Sequence, residues 1–328
     1  MKSCRVAVVQ AAPVAFDLHA SIARLGGLLQ DAAKTGAQLV LFPEAFLPGF
    51  PSGLDWGGAS TGIRIPDGEA GFQRYFASAI TVPSADTQAI GKMVAEAAIF
   101  AIIGVIERVG ASLSCSVLHF DPTGALVHVR RKLMPTMAER TVWMQSDGSS
   151  LTVVESDIAR IGTAICWENY MPLLRQCLYA QGVEIYCAPT ADDLDTWIST
   201  MQHVAIEGRC FVLSSNQFTK RRDFPADYGD FPSSDPDFVV SRGGSCIVDP
   251  FGKLLAGPVY DQDALLVADL DAELVIKGKF SFDVVGHYAR NDIFQLQVDR
   301  RQKPGVTFVN EQGMQPASNL SSPILGQQ

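Results

Sequence analysis

Apolar positions along this chain follow two rhythms, short runs of consecutive aliphatic residues and stripes spaced three or four apart. Residues 5–10 form a β-prone run, and after Pro13 the side chains of Leu18, Ile22, Leu25, Leu29 and Ala32 fall on one face of a predicted helix. Gly36 closes that helix, and residues 38–42 read as a second buried strand running into Pro43-Glu44. Ile90, Met93, Val94 and Ala97 repeat the helical stripe, and residues 100–106 repeat the strand. Two more strands flank Asp121-Pro122-Thr123-Gly124, a turn with Pro at its second position and Gly at its fourth, and the later strand leads into Arg131-Lys132.

The second half keeps the rhythm. Residues 151–155 and 160–165 predict a strand pair whose second member ends at Cys166; Leu174, Cys177 and Leu178 give a helix, and residues 183–188 a strand. Residues 201–206 belong to a helix, 210–215 to a strand, Asp249-Pro250-Phe251-Gly252 to a turn between two strands, and 265–270 to a last strand. Strands alternating with helices imply an α/β protein built in layers, with a sheet-on-sheet core and helices outside; a doubly wound single sheet fits the same pattern. Residues 219–237, rich in Asp, Pro and Phe, read as a long surface loop. Residues 1–301 read as one domain, and 302–328 as a polar tail, loosely ordered or packed on a partner subunit.

Composition narrows the function classes. Hydrophobic residues make up 47% of the chain and charged ones 19%, enough for a large core that needs no staples. Seven scattered cysteines without a CxxC pair fit a reducing compartment. The 26 basic and 35 acidic residues leave a net charge of −9, with no basic cluster longer than Lys220-Arg221-Arg222, which disfavours nucleic acid or an anionic membrane as partner. The opening Met1-Lys2-Ser3-Cys4-Arg5-Val6 has no signal-peptide character, and no apolar run approaches the roughly 18 residues that span a bilayer. The expected location is the cytoplasm.

Three polar residues each stand just beyond an apolar strand: Glu44, Lys132 and Cys166. In α/β folds such strand ends converge on the active-site crevice. A thiol with an ordinary pKa of about 8.5 is mostly protonated at neutral pH, so it needs a base or a cation beside it. Glu44 can take the proton, and Lys132 can favour the thiolate and receive the negative charge that builds on a substrate heteroatom, helped by the backbone N–H after Cys166. Taken singly, each has a structural reading: a small buried hydrophobe for Cys166, a cap for Glu44, a solvated strand end for Lys132. The other six cysteines read as inert core.

Local sequence changes that weighting. Phe42-Pro43-Glu44, Arg131-Lys132-Leu133 and Cys166-Trp167-Glu168-Asn169 resemble, in order and spacing, the three signature segments of the nitrilase superfamily, over residues 5–299. The Cys-Trp-Glu-Asn run followed by Tyr170-Met171-Pro172-Leu173, together with Pro135-Thr136, Glu139-Arg140-Thr141-Val142-Trp143, Asp147-Gly148-Ser149 and Val285-Gly286-His287-Tyr288, resembles the nitrilase branch. The resemblance implies Cys166 as nucleophile, Glu44 as general base, Lys132 as stabiliser of the intermediate, and Glu139 as a second glutamate supporting the lysine and proton movement. It also implies a four-layer α-β-β-α sandwich that assembles through its outer helices into homodimers or larger spirals. Met134, Met137 and Met144-Gln145-Ser146 depart from the Lys, the His and the Gly-rich run common in nitrilases, and bear on pocket shape, proton traffic and assembly.

Phe50, Trp167, Tyr170 and Thr190 follow strand ends and are candidate substrate-binding residues. The five histidines lack zinc spacing and the glycine pairs lack a phosphate-loop frame, so neither metal nor cofactor is expected. The expected activity is hydrolysis of a small nitrile to acid and ammonia. The alternatives are an amidase or carbamoylase using the same Glu-Lys-Cys residues, a non-enzymatic member of the fold, and a papain-like Cys-His hydrolase.

Overall fold

The computed structural model describes residues 1–53, 66–229, 231–303, 306–310 and 313–316. Its first half contains β1 (Cys4–Gln10), α1 (Leu18–Lys34), β2 (Leu39–Leu41), α2 (Pro66–Ser78), β3 (Ile80–Thr81), α3 (Ala85–Ala97), β4 (Phe100–Val109), β5 (Ser112–Phe120) and β6 (Leu126–Arg131). Its second half contains β7 (Val154–Glu155), β8 (Arg160–Thr163), α4 (Pro172–Ala180), β9 (Ile185–Pro189), α5 (Thr196–Gly208), β10 (Phe211–Ser215), β11 (Phe218–Lys220), β12 (Val239–Val248), β13 (Leu254–Tyr260), β14 (Ala264–Leu270) and α6 (Glu273–Ser281). A hairpin of β15 (Thr307–Asn310) and β16 (Gly313–Pro316) follows.

Two seven-stranded sheets form, one ordered β14-β1-β2-β4-β5-β6 with β3 beside β4, the other β11-β12-β10-β9-β8-β7 with β13 beside β12. The doubly wound single sheet is thereby excluded. Successive residues of a strand point to opposite faces, and each sheet divides its side chains accordingly. Val6, Val8, Leu39, Leu41 and Ile102 of the first sheet meet Ile185, Phe211 and Leu213 of the second in one buried layer. Their neighbours Ala7, Val9, Val40 and Ile103 pack outward under Leu25 and Leu29 of α1 and Ile90 and Val94 of α3. Tyr186, Ala188 and Val212 pack likewise under Leu178 of α4 and Trp197 and Met201 of α5. The order helix, sheet, sheet, helix is the four-layer sandwich.

Local chemistry sets the boundaries. Asp17 caps α1 by accepting the Ala20 N–H at 2.9 Å, and Ser84 and Thr87 form a reciprocal capping box at the start of α3. The strand expected over 151–155 shrinks to two residues because the Gln181 side chain takes the Val153 N–H at 3.1 Å, away from the ladder. The surface loop expected over 219–237 begins instead as β11 and a 3₁₀ turn, and its aromatics turn inward: Phe224 and Tyr228 are buried and stack on each other, with Phe16 4.2 Å from the Tyr228 ring. Within the expected loose tail, β15 and β16 pair, while residues 304–305, 311–312 and 317–328 lie outside the described residues. Among the described residues, no helix is long and apolar enough to cross a membrane.

Candidate active site

Glu44 lies in the loop after β2, which is laid onto β4: the Phe42 N–H donates to the Ile102 carbonyl at 2.8 Å and the Leu47 N–H to the Gly104 carbonyl at 3.1 Å. Gly104 permits this approach, since a Cβ there would overlap the Pro43 carbonyl oxygen and stand 2.8 Å from Glu44 Cα. From the second sheet, the Gln217 amide donates to the Glu44 carbonyl at 2.8 Å. The carboxylate is fully buried, and its Oε2 has no hydrogen-bond partner.

Lys132 follows β6, its N–H bonded to the Cys115 carbonyl at 2.8 Å. Its ammonium, with no exposed surface, donates to Glu44 Oε1 and to Glu139 Oε2, each at 2.7 Å. Glu139 sits in a 3₁₀ turn, Met137–Thr141, and the same Oε2 accepts the Thr136 N–H at 2.6 Å. The Trp143 ring stands 5.4 Å from the ammonium, and Phe50 packs edge-on against Trp143 at 5.6 Å.

Cys166 opens a 3₁₀ turn, Cys166–Tyr170, and holds a left-handed φ of 51°. Ala45, next to Glu44, has φ 50°, and Met137, two residues before Glu139, has φ 44°. Non-glycine residues in this region cost on the order of 1–3 kcal/mol and cluster at functional sites. The Asn169 amide secures the bend by donating to the Ala164 and Cys166 carbonyls at 3.1 and 2.7 Å. The Thr190 hydroxyl donates to the Cys166 sulfur at 3.3 Å.

Burial pushes the Cys166 thiol up, the Glu44 carboxylate adds to the effect, and Lys132 offsets it only in part. The surroundings of the resting sulfur therefore favour the thiol over the thiolate. Burial opposes the charge on Lys132, but its surroundings, led by the Glu44 carboxylate, outweigh it and hold the ammonium above its ordinary range. Burial and then Glu44 push Glu139 up to about 7, with Lys132 and the Thr136 N–H pulling the other way. The result is a buried thiol and a cation in one electrostatic cluster with two carboxyl groups, one of which has an oxygen without a hydrogen-bond partner.

Trp167 and Tyr170 form an exposed rim beside this centre, their rings edge-to-face at 5.7 Å. Both donate to Asp192 Oδ2, the indole at 2.9 Å and the phenol at 3.4 Å. The Asp192 N–H in turn donates to the Thr190 hydroxyl at 2.9 Å. Of the four sequence-predicted pocket residues, Thr190 bonds Cys166 directly, Trp167 and Tyr170 connect through Asp192 and Thr190, and Phe50 through Trp143. Met134, Met137 and Met144 all face solvent, Met137 being 71% exposed.

The carbon-nitrogen hydrolase family model matches residues 5–280. The chain belongs to that family. Within it the chain falls in the nitrilase branch: it is 48% identical over 306 residues to an aliphatic nitrilase of Sinorhizobium fredii, covering 93% of this chain and 99% of that protein. It is also 46% identical over 310 residues to a bifunctional nitrilase/nitrile hydratase of Nicotiana tabacum, covering 93% and 89%. Among solved structures, a carbon-nitrogen hydrolase from Helicobacter pylori G27 superposes with a TM-score of 0.69 at 18% identity, covering 89% of this chain and 97% of that one. An amidase from Nesterenkonia sp. superposes at 0.61 and 18%, covering 83% and 92%. Both share the fold.

This carbon-nitrogen hydrolase also places residues at the centre that sequence reasoning passed over. Cys115, expected to be inert core, directs its sulfur at Glu44 Oε1 from 3.4 Å, and burial followed by Glu44 raises its pKa well above the ordinary value. Nothing in the local pattern of β5 marks it; only the pairing of β5 with β6, which sets Cys115 beside Lys132, does. Asp192 was equally silent, being one acid in the run Asp192-Asp193-Leu194-Asp195.

Proposed function

We propose that this chain is a nitrilase that converts a small organic nitrile to a carboxylic acid and ammonia. The observation that carries the reading is the fully buried Lys132 bonded to both Glu44 and Glu139, in electrostatic contact with a Cys166 held at a left-handed φ. Relatives at 46–48% identity that are named nitrilases support the substrate class.

Because the thiol is neutral at rest, its proton leaves as the sulfur attacks. Glu44, through its free Oε2, accepts that proton as the new C–S bond forms, and returns it to the nitrile nitrogen to give a thioimidate. Lys132 and the Trp167 N–H, near the start of the 3₁₀ turn where N–H groups lack partners within the turn, stabilise charge on that nitrogen. Water adds to the thioimidate, the C–N bond breaks and ammonia leaves, so a thioester remains. A second water cleaves it, which releases the acid and restores the thiol. The balance is one nitrile and two waters to one acid and one ammonia. Glu139, near neutrality in its titration and bonded to Lys132, adjusts the charge around the ammonium. Phe50, Trp167, Tyr170 and Thr190 line the substrate path.

Replacing Cys166 with Ala tests the reading: a nitrile panel assayed for ammonia, acid and amide should show activity in the parent and none in the folded variant. Residual turnover by C166A, or turnover of amides alone by the parent, would overturn it. We further read residues 1–301 as the catalytic domain, with seven free cysteines supporting a cytoplasmic location. The partner expected besides substrate is a second copy of the chain.

A further inference from the structure

Glu168 makes no contact with the Lys132 ammonium or the Cys166 sulfur among its hydrogen bonds, yet it touches the chain beside both. Its carboxylate is 1% exposed and sits against Arg130, which is equally buried. Arg130 Nη2 donates to both carboxylate oxygens, at 2.9 and 2.8 Å. Oε1 also accepts the Leu133 N–H at 2.6 Å, and Oε2 accepts the Ile165 N–H at 2.8 Å. Leu133 directly follows Lys132, and Ile165 directly precedes Cys166.

Lys132 leaves the edge strand β6 of one sheet, and Cys166 leaves β8 of the other. Sheet packing through apolar side chains is non-directional and holds such a separation loosely compared with what proton transfer and charge stabilisation demand. A carboxylate accepting charge-assisted and backbone hydrogen bonds is directional and short. Arg130 matters because a buried carboxylate without a cation would be costly, and because its Nη2 holds both carboxylate oxygens at once.

We propose that Glu168, held by Arg130, is a positioning residue that sets the Cys166 sulfur in register with the Lys132 ammonium across the two sheets. The role rests on the nitrilase reading for its catalytic consequence, but the register itself is measurable without substrate. In the Glu168→Gln variant one oxygen becomes an NH₂ group, which must face either the Leu133 or the Ile165 N–H, and that loop moves.

The test compares parent and E168Q in three measurements: thermal melting, kcat and KM for ammonia release, and the second-order rate of Cys166 alkylation by iodoacetamide across pH 5–10. The expected result is a folded protein whose kcat falls about 100-fold or more with KM within about threefold, and whose alkylation profile moves to higher pH because Lys132 no longer offsets the burial of the thiol. A purely structural role would lower the melting temperature and leave the alkylation profile of the folded fraction unchanged. That result, or parental kcat, overturns the proposal. Should E168Q not fold, Arg130→Lys keeps a cation but withdraws the guanidinium Nη2 that holds both oxygens, and the same shift is expected at smaller amplitude. If neither variant folds, the pair is a folding element and the proposal fails. Failure of the nitrilase reading would appear separately, in the parent's substrate panel.

Discussion

A neutral thiol facing a permanent ammonium divides the labour of the site at single residues. The surroundings of Lys132 favour its protonated form, and those of Cys166 disfavour a resting negative charge. In the proposed mechanism Glu44 is the acceptor, and Glu139 is the group whose charge changes near neutral pH. The sign of the Glu139 effect follows from its position. Above about 7 it is ionised, and its negative charge opposes formation of a thiolate at Cys166; below that pH it is neutral and does not. The rate of Cys166 alkylation should therefore rise with pH, slow its rise near pH 7, and lose that break in Glu139→Gln. A break that persists in E139Q would assign the titration to another group. Glu44, Lys132 and Cys166 were legible in the sequence because each follows an apolar run and sits in a signature segment. Cys115 and Asp192 were not, because strand pairing and loop closure bring them in from positions with no local mark.

At the level of elements, the site depends on how closely the Glu44 loop lies on β4. Gly104 is the permissive residue, and its neighbours across the gap are backbone atoms that cannot rotate aside. Gly104→Ala should force the Pro43–Ala45 backbone away from β4. The expected outcome is a stability loss of about 1–3 kcal/mol in denaturant unfolding, with ammonia release reduced at least tenfold in the protein that remains folded. Full activity in a folded G104A would show that the loop has slack. Helices with strong apolar stripes, α1 and α3, could be read directly from spacing, whereas α2 and α6 could not. In α6 only Val275 and Gly278 are buried while Ile276 and Phe280 face solvent, so no clean stripe exists to read. The loop over 219–237 misleads for the opposite reason: its polar residues dominate the composition while Phe224 and Tyr228 carry the packing.

For the whole molecule, periodicity alone allowed one sheet or two, because a strand covered on both faces looks the same whether helix or sheet covers it. The ordered motifs removed that ambiguity, and the two-sheet arrangement explains why Cys166 and Lys132 start from different sheets. What the sandwich leaves unburied then becomes informative. Leu173 at the start of α4 is 67% exposed, and Phe294, in the run of turns and coil that follows α6, is 75% exposed. With Tyr288, Ile293 and Leu296 they line a single surface hollow along α4. Isolated exposed apolar residues are ordinary, but a contiguous group marks an interface. A second copy of this chain is the expected occupant, since closed dimers pair the same patch on both subunits. Sedimentation at micromolar concentration should give at least twice the 35.4 kDa of one chain. Phe294→Asp places a charge in the patch and should shift the population toward monomer without changing the melting of the folded chain by more than a few degrees. A parent that sediments as a monomer, or an F294D variant that assembles as the parent does, would remove this face from the interface.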